Sequence, residues 1–236
     1  MINEQLLTLY RDFYGDRISE VIPCGVVDET VYSRVYPRIV FILREAHMRT
    51  PYNIKSEWTL PKGISRNVDI GLTGKPMELK YMRTWKQVGV WAYAIIHGFD
   101  TYNKLKKDIC VAKGLQAIAM TNLKKTGGAA ASKWREIRDH AVQDKSLWQR
   151  ELEIMNPDLI ICGGTYSHVT GVLELQRYPL YEDNSRKYRY STIDINSKQC
   201  IVLDFWHPNN RRNRQSNVDV LRKLMERIQK AELLEG

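Results

Sequence analysis

Four short apolar runs, each carrying β-branched residues, constrain this chain more than any other feature: "RIVFIL" (38–43), "LQAIAMTNL" (115–123), "PDLIICGG" (157–164) and "CIVLDFW" (200–206). Continuous apolar runs of this length read as strands buried on both faces, the condition of a parallel sheet covered by helices. Helical patterns separate them. Tyr81, Trp85, Val88, Ala92 and Ile95 recur at spacings of four and three until Gly98 stops the pattern. A second helical region spans residues 133–155, and a last helix follows Ser216 as N-cap, with Val218, Leu221, Leu224 and Ile228 on one face. The alternation predicts a single α/β domain over residues 1–236: a three-layer sandwich with a central, mainly parallel β-sheet. In such sheets a ligand sits beyond the carboxyl ends of the strands.

Charge narrows the partner. Lys and Arg number 36 against 27 Asp and Glu, a formal net charge of +9, which favours an anionic partner such as nucleic acid over a neutral one. A generic basic surface is the bland alternative. No apolar run approaches the roughly 20 residues that cross a bilayer, so no membrane partner is expected. The opening "MINEQLLTLYRDFYGDR" mixes charge into its apolar positions, which predicts a cytoplasmic protein. Cys24, Cys110, Cys162 and Cys200 lie far apart with no C-x-x-C pair. They read as reduced, mostly buried thiols, and neither a metal nor a cofactor is expected.

The four strand ends carry the chemistry. The first, "LREAHMRTPYN", places Glu45 and His47 just past the buried run; as an isolated loop these charges would simply be solvated. The second, "AMTNLKKTGGAAAS", offers Asn122, whose planar amide can read a base edge, and Lys124 and Lys125, which suit phosphates. The third, "PDLIICGGTYSHV", runs from strand through Gly163, Gly164 and Thr165 into a helix, a geometry that can hold an anion or simply turn the chain. The fourth passes from a strand through His207 and Pro208 into "NNRRNR", where Asn209, Asn210, Arg211, Arg212 and Arg214 form a polar, basic loop suited to a nucleic-acid backbone. Taken alone, a strand-end histidine is more often structural than catalytic.

In this order the ends resemble the uracil-DNA glycosylase superfamily. That family pairs a first loop of the type G-E-A-P-G or G-Q-D-P-Y with a later H-P-S or H-P-A loop; here these read "REAHM" and "HPNNRR". "MTNLKK" and "PDLIICGGTYSH" resemble two intervening family elements, and the likeness spans residues 38–215. Arg44 stands where the family has a glycine, His47 falls at or near its proline, and "PNNRR" replaces its small-residue loop.

The resemblance implies a monomeric, monofunctional DNA glycosylase that needs no metal. It would flip a pyrimidine out of DNA and hydrolyse its N-glycosidic bond. His207 would donate to O2 of the leaving base, while Glu45 would orient water or screen the cationic sugar. Asn122 would read the base, His47 would line its pocket, and Tyr52 or Trp58 would stack on it. The altered first loop leaves three substrates open: uracil, another damaged base, or an enlarged cytosine, hydroxymethylated or glucosylated, of the kind found in some phage DNA. The role is accordingly base-excision repair or anti-phage defence. Two rival classes remain. A metal-dependent nuclease would gather Glu45, His47, Asp204 and His207 around a divalent ion, and a non-catalytic module would only bind modified DNA.

Overall fold

The computed structural model of the chain describes residues 1–46, 60–73, 83–128, 133–184, 186–210 and 213–231. In chain order the elements are α1 (Ile2–Tyr14), a 3-10 turn (Gly15–Glu20), β1 (Gly25–Val26), α2 (Glu29–Tyr32), β2 (Ile39–Leu43), α3 (Leu60–Leu72) and α4 (Arg83–His97). There follow α5 (Tyr102–Leu105), α6 (Asp108–Gln116), β3 (Ile118–Asn122), α7 (Trp134–Gln143), α8 (Lys145–Met155), β4 (Leu159–Gly163) and α9 (Tyr166–Val172). A hairpin of β5 (Tyr178–Asp183) and β6 (Arg186–Ile195) leads into β7 (Lys198–Phe205), and α10 (Arg214–Lys230) ends the described chain.

The strands form one sheet in the order β1-β3-β2-β4-β7-β6-β5. The four apolar runs of the sequence supply its centre, β3-β2-β4-β7, and all three of those pairings are parallel. Every residue of β2, β3 and β4 is buried, which is why these strands show no alternation. The margins differ from the mainly parallel sheet expected. β1 runs antiparallel to β3, and β7, β6 and β5 form an antiparallel meander. Helices α3, α4, α6 and α10 pack on one another, as do α1, α7, α8 and α9, an arrangement consistent with three layers. Where α4 crosses α6 the backbones touch: a Cβ on Gly114 would lie 2.0 Å from the Gly89 carbonyl oxygen.

Local chemistry moves several boundaries. Asn213, not Ser216, caps the last helix, its side-chain oxygen accepting from the N–H groups of Gln215 at 2.9 Å and Ser216 at 3.4 Å. The helical region after residue 133 breaks at buried Asp144, which accepts a hydrogen bond from the Tyr14 hydroxyl at 3.0 Å. Cys24, Cys162 and Cys200 are buried and all four thiols are free. Among the described residues no helix is long and apolar enough to cross a membrane.

Lys125 corrects an expectation. Rather than facing a phosphate it is 1% exposed, and its ammonium bonds Glu151 and the Thr121 hydroxyl, each at 2.5 Å. Tyr10 donates to the other oxygen of Glu151, and the Tyr10 hydroxyl in turn accepts from the Cys24 N–H at 3.1 Å. This network pins α1 and α8 to the end of β3. A buried ion pair is worth little relative to an apolar pair, but breaking one side leaves a bare charge. Glu151→Ala is therefore expected to cost about 3–5 kcal/mol, read as a lowered midpoint in urea unfolding, with Glu151→Gln costing less.

Candidate functional site

β2 lies between β3 and β4, so the chain leaves it toward one side of the sheet and later returns on the other. Such a reversal opens a crevice beyond the carboxyl ends of the two diverging strands. A cavity of about 550 Å³ lies there, lined among others by Arg44 after β2, Gly164 after β4, and Trp206 and His207 after β7. The turn after β4 sets this geometry. Gly164 has φ of 69°, a conformation that favours glycine. Its N–H points back to the carbonyl oxygens of Cys162 at 2.8 Å and Phe205 at 3.0 Å. A Cβ there would lie 3.3 Å from both Arg44 Nη2 and the His207 Cβ.

His207 is held neutral. Burial lowers its pKa from 6.5 to about 4, and the Arg44 charge adds to the effect. Its Nδ1 accepts from the Asn209 N–H at 3.1 Å. In a neutral imidazole one nitrogen accepts and the other donates, so the proton resides on Nε2. The loop behind it is tied down. Asn210 donates to the His207 carbonyl through its N–H at 2.9 Å and its amide at 3.0 Å, and Arg214 donates to the Pro208 carbonyl at 2.8 Å. Asn209 and Asn210 line the cavity, whereas Arg214 clamps the loop onto α10.

Glu45 sits on the β3 side of the end of β2. Its side chain is 5% exposed and lies 2.9 Å from the Lys124 ammonium, which also pairs with Glu136. Burial opposes the charge on Lys124, but its bonds to Glu136 and Glu45 prevail and raise its pKa. Lys124 therefore neutralises Glu45 rather than meeting a phosphate from solvent. Gly128 is where the backbone makes room: a Cβ there would fall 1.8 Å from Glu45 Oε2. Asn122 is 3% exposed at the end of β3, and neither it nor Glu45 lines the cavity.

The strand-turn-helix expected to hold an anion is otherwise engaged. Gly163 ends β4 opposite Phe205, the Gly164 N–H is taken by the two carbonyls, and fully buried Thr165 donates its hydroxyl to the Ile42 carbonyl at 2.7 Å. These three residues fasten β4 to its neighbours, and Gly164 lines the cavity. His47, Tyr52, Trp58, Arg211 and Arg212 lie outside the described residues.

Sequence reasoning missed most of the lining. Arg177, Arg186 and Arg189 come from the β5–β6 hairpin and its approach, and Trp134 opens α7. The Arg44 guanidinium lies 4.4 Å from the Trp134 ring centroid, and that of Arg186 lies 4.5 Å from Trp206. Asp204 is engaged by Arg186. Its pKa is raised, because burial outweighs the arginines beside it. Among the described residues no three His, Cys, Asp or Glu side chains gather as metal ligands would. Of the residues a metal nuclease would gather, Glu45 pairs with Lys124 and Asp204 with Arg186.

The chain matches no protein-family model, and no curated protein is significantly similar to it.

The His207 assignment has a measurable signature. By NMR its ring should stay neutral, with the proton on Nε2, from pH 8 down to about 5, and titrate near 4. The sign for stability follows: the unfolded chain takes up the proton near 6.5, so this histidine's contribution is complete above that pH. It is lost as pH falls toward 4, by roughly 3 kcal/mol. Arg44→Gln should move the titration upward.

Proposed function

We propose that the chain is a DNA glycosylase that hydrolyses the N-glycosidic bond of a pyrimidine flipped out of DNA. One observation carries the reading: a neutral histidine with its donor nitrogen defined, beside a cavity at the point where the sheet reverses. The order of the strand ends, including "REA" after β2 and "HP" after β7, is the second support.

Breaking the bond sends its electron pair to the base and leaves positive charge on the sugar. A neutral Nε2–H can donate to base O2 as negative charge grows there without having to lose its proton, and Arg44 adds a positive field on the same side. Glu45, held just past β2 by its ion pair with Lys124, is the side chain that would orient the attacking water. Water closes the reaction at C1′, its proton ending on the departed base. A strongly basic chain matches the polyanionic substrate. The rebuilt first loop, with Arg44 where the family carries glycine, keeps uracil, another damaged base and the hydroxymethylated or glucosylated cytosines as the candidate substrates.

Duplex and single-stranded DNAs carrying uracil, 5-hydroxymethylcytosine or glucosylated cytosine, incubated with the protein in EDTA, test the reading by mass spectrometry of released base. Free base with an alkali-labile site left in the strand is the expected outcome. Backbone nicks that need a divalent ion would replace it with a nuclease, and tight binding without release would leave only a binding module. His207→Ala and Glu45→Ala should each slow release by about 10²–10³-fold with little change in DNA affinity.

A further inference from the structure

The cavity holds more charge than base release uses. Among the described residues four guanidinium groups, of Arg44, Arg177, Arg186 and Arg189, line it against one carboxylate, that of Asp204. With His207 neutral, three positive charges are left in excess. Asp204 feels three of the four, since Arg186, Arg189 and Arg177 all act on its carboxyl. Two of the guanidiniums are fixed before any ligand arrives, Arg44 over Trp134 and Arg186 between Trp206 and Tyr188, with centroid distances of 4.4, 4.5 and 4.9 Å. Arg177 is oriented by Thr170, to which its Nε donates at 2.8 Å. Arg189 is exposed, and its guanidinium donates no hydrogen bond among the described residues.

Concentrating like charges in a concave site raises their mutual repulsion, and an oxyanion with several acceptor oxygens relieves it. Guanidinium groups held flat on aromatic rings lose little freedom when they bind such a group. We propose that this cavity is a phosphate-binding subsite, in which Arg44, Arg177, Arg186 and Arg189 hold a phosphate oxyanion and the exposed Trp134 flanks the nucleoside attached to it. Its volume of about 550 Å³ falls in the range that holds one small ligand. The ligand is either an internal phosphodiester of a DNA strand or the terminal phosphate of a strand end or free nucleotide. The inference concerns phosphate capture and does not depend on which bond, if any, the protein breaks.

Calorimetric titration of the intact protein with inorganic phosphate, in chloride buffer of constant ionic strength, is the direct measurement. Saturable binding is expected, weakened about tenfold or more in Arg189→Gln, which removes a guanidinium with no structural bond to lose. Phosphate binding is read without any base being released, so its outcome stands apart from the test of the glycosylase reading. Matched oligonucleotides with and without a 5′-phosphate then identify the source. Preference for the phosphorylated strand, lost in Arg189→Gln, assigns the subsite to a strand end, and equal binding of both, again weakened in Arg189→Gln, assigns it to an internal phosphodiester. Phosphate that binds no better than chloride, or Arg189→Gln that binds both probes as the parent does, overturns the proposal.

Discussion

A single backbone amide organises the carboxyl edge of the sheet. By donating to the carbonyls of both Cys162 and Phe205, the Gly164 N–H carries the pairing of β4 and β7 one step past the ends of those strands. That step fixes where the chain emerges from β7, and so where His207 meets Arg44. The left-handed φ would strain any side chain at Gly164, whose Cβ would press at 3.3 Å on Arg44 and His207. A charge-sensitive histidine is thus positioned by main chain rather than by another side chain.

The protein treats its buried cations in two ways. Lys124 and Lys125 are consecutive, yet one is closed in by Glu45 and Glu136 and the other by Glu151, and both lie within the fold. A desolvated ammonium needs a carboxylate, and each has one. The arginines around His207 follow the opposite rule. They outnumber the acids near them among the described residues, and two of them, Arg44 and Arg186, rest on aromatic faces, where a weakly hydrated planar cation loses less than an ammonium would. Charge inside the scaffold is balanced, and charge in the cavity is left in surplus.

How much of this the sequence revealed follows from where each signal sits along the chain. The four central strands were legible because burial on both faces removes polar residues from them altogether. The β5–β6 hairpin was not, since Tyr188 and Ser191 are buried while Arg189 and Lys187 are exposed, and no apolar run forms. With the hairpin went Arg186 and Arg189, which look like ordinary surface charges until β6 pairs with β7 and brings them beside Asp204, and Arg177, which Thr170 orients just before β5. His207 was found by its place at a strand end, but its neutrality comes first from burial in the folded chain and then from Arg44, more than 150 residues earlier in the chain. Lys125 was misjudged for the same reason: Glu151 belongs to another element, and proximity in sequence does not disclose it. The outcome at Glu45 is mixed, its position past β2 being readable and its pairing with Lys124 not.

The antiparallel meander at the sheet margin divides the molecule's labour. His207 and Gly164 belong to the parallel centre, which is covered on all sides and tolerates little change. Three of the cavity's arginines sit instead on or beside a marginal hairpin, with β5 as its outermost strand and many side chains in solvent. A hairpin at an edge can lengthen, shorten or change charge without altering the register of the strands inside it. Recognition can therefore drift from one ligand to another while the chemistry beside it stays in place, so descendants of this chain could differ in what they grip long before they differ in what they do to it.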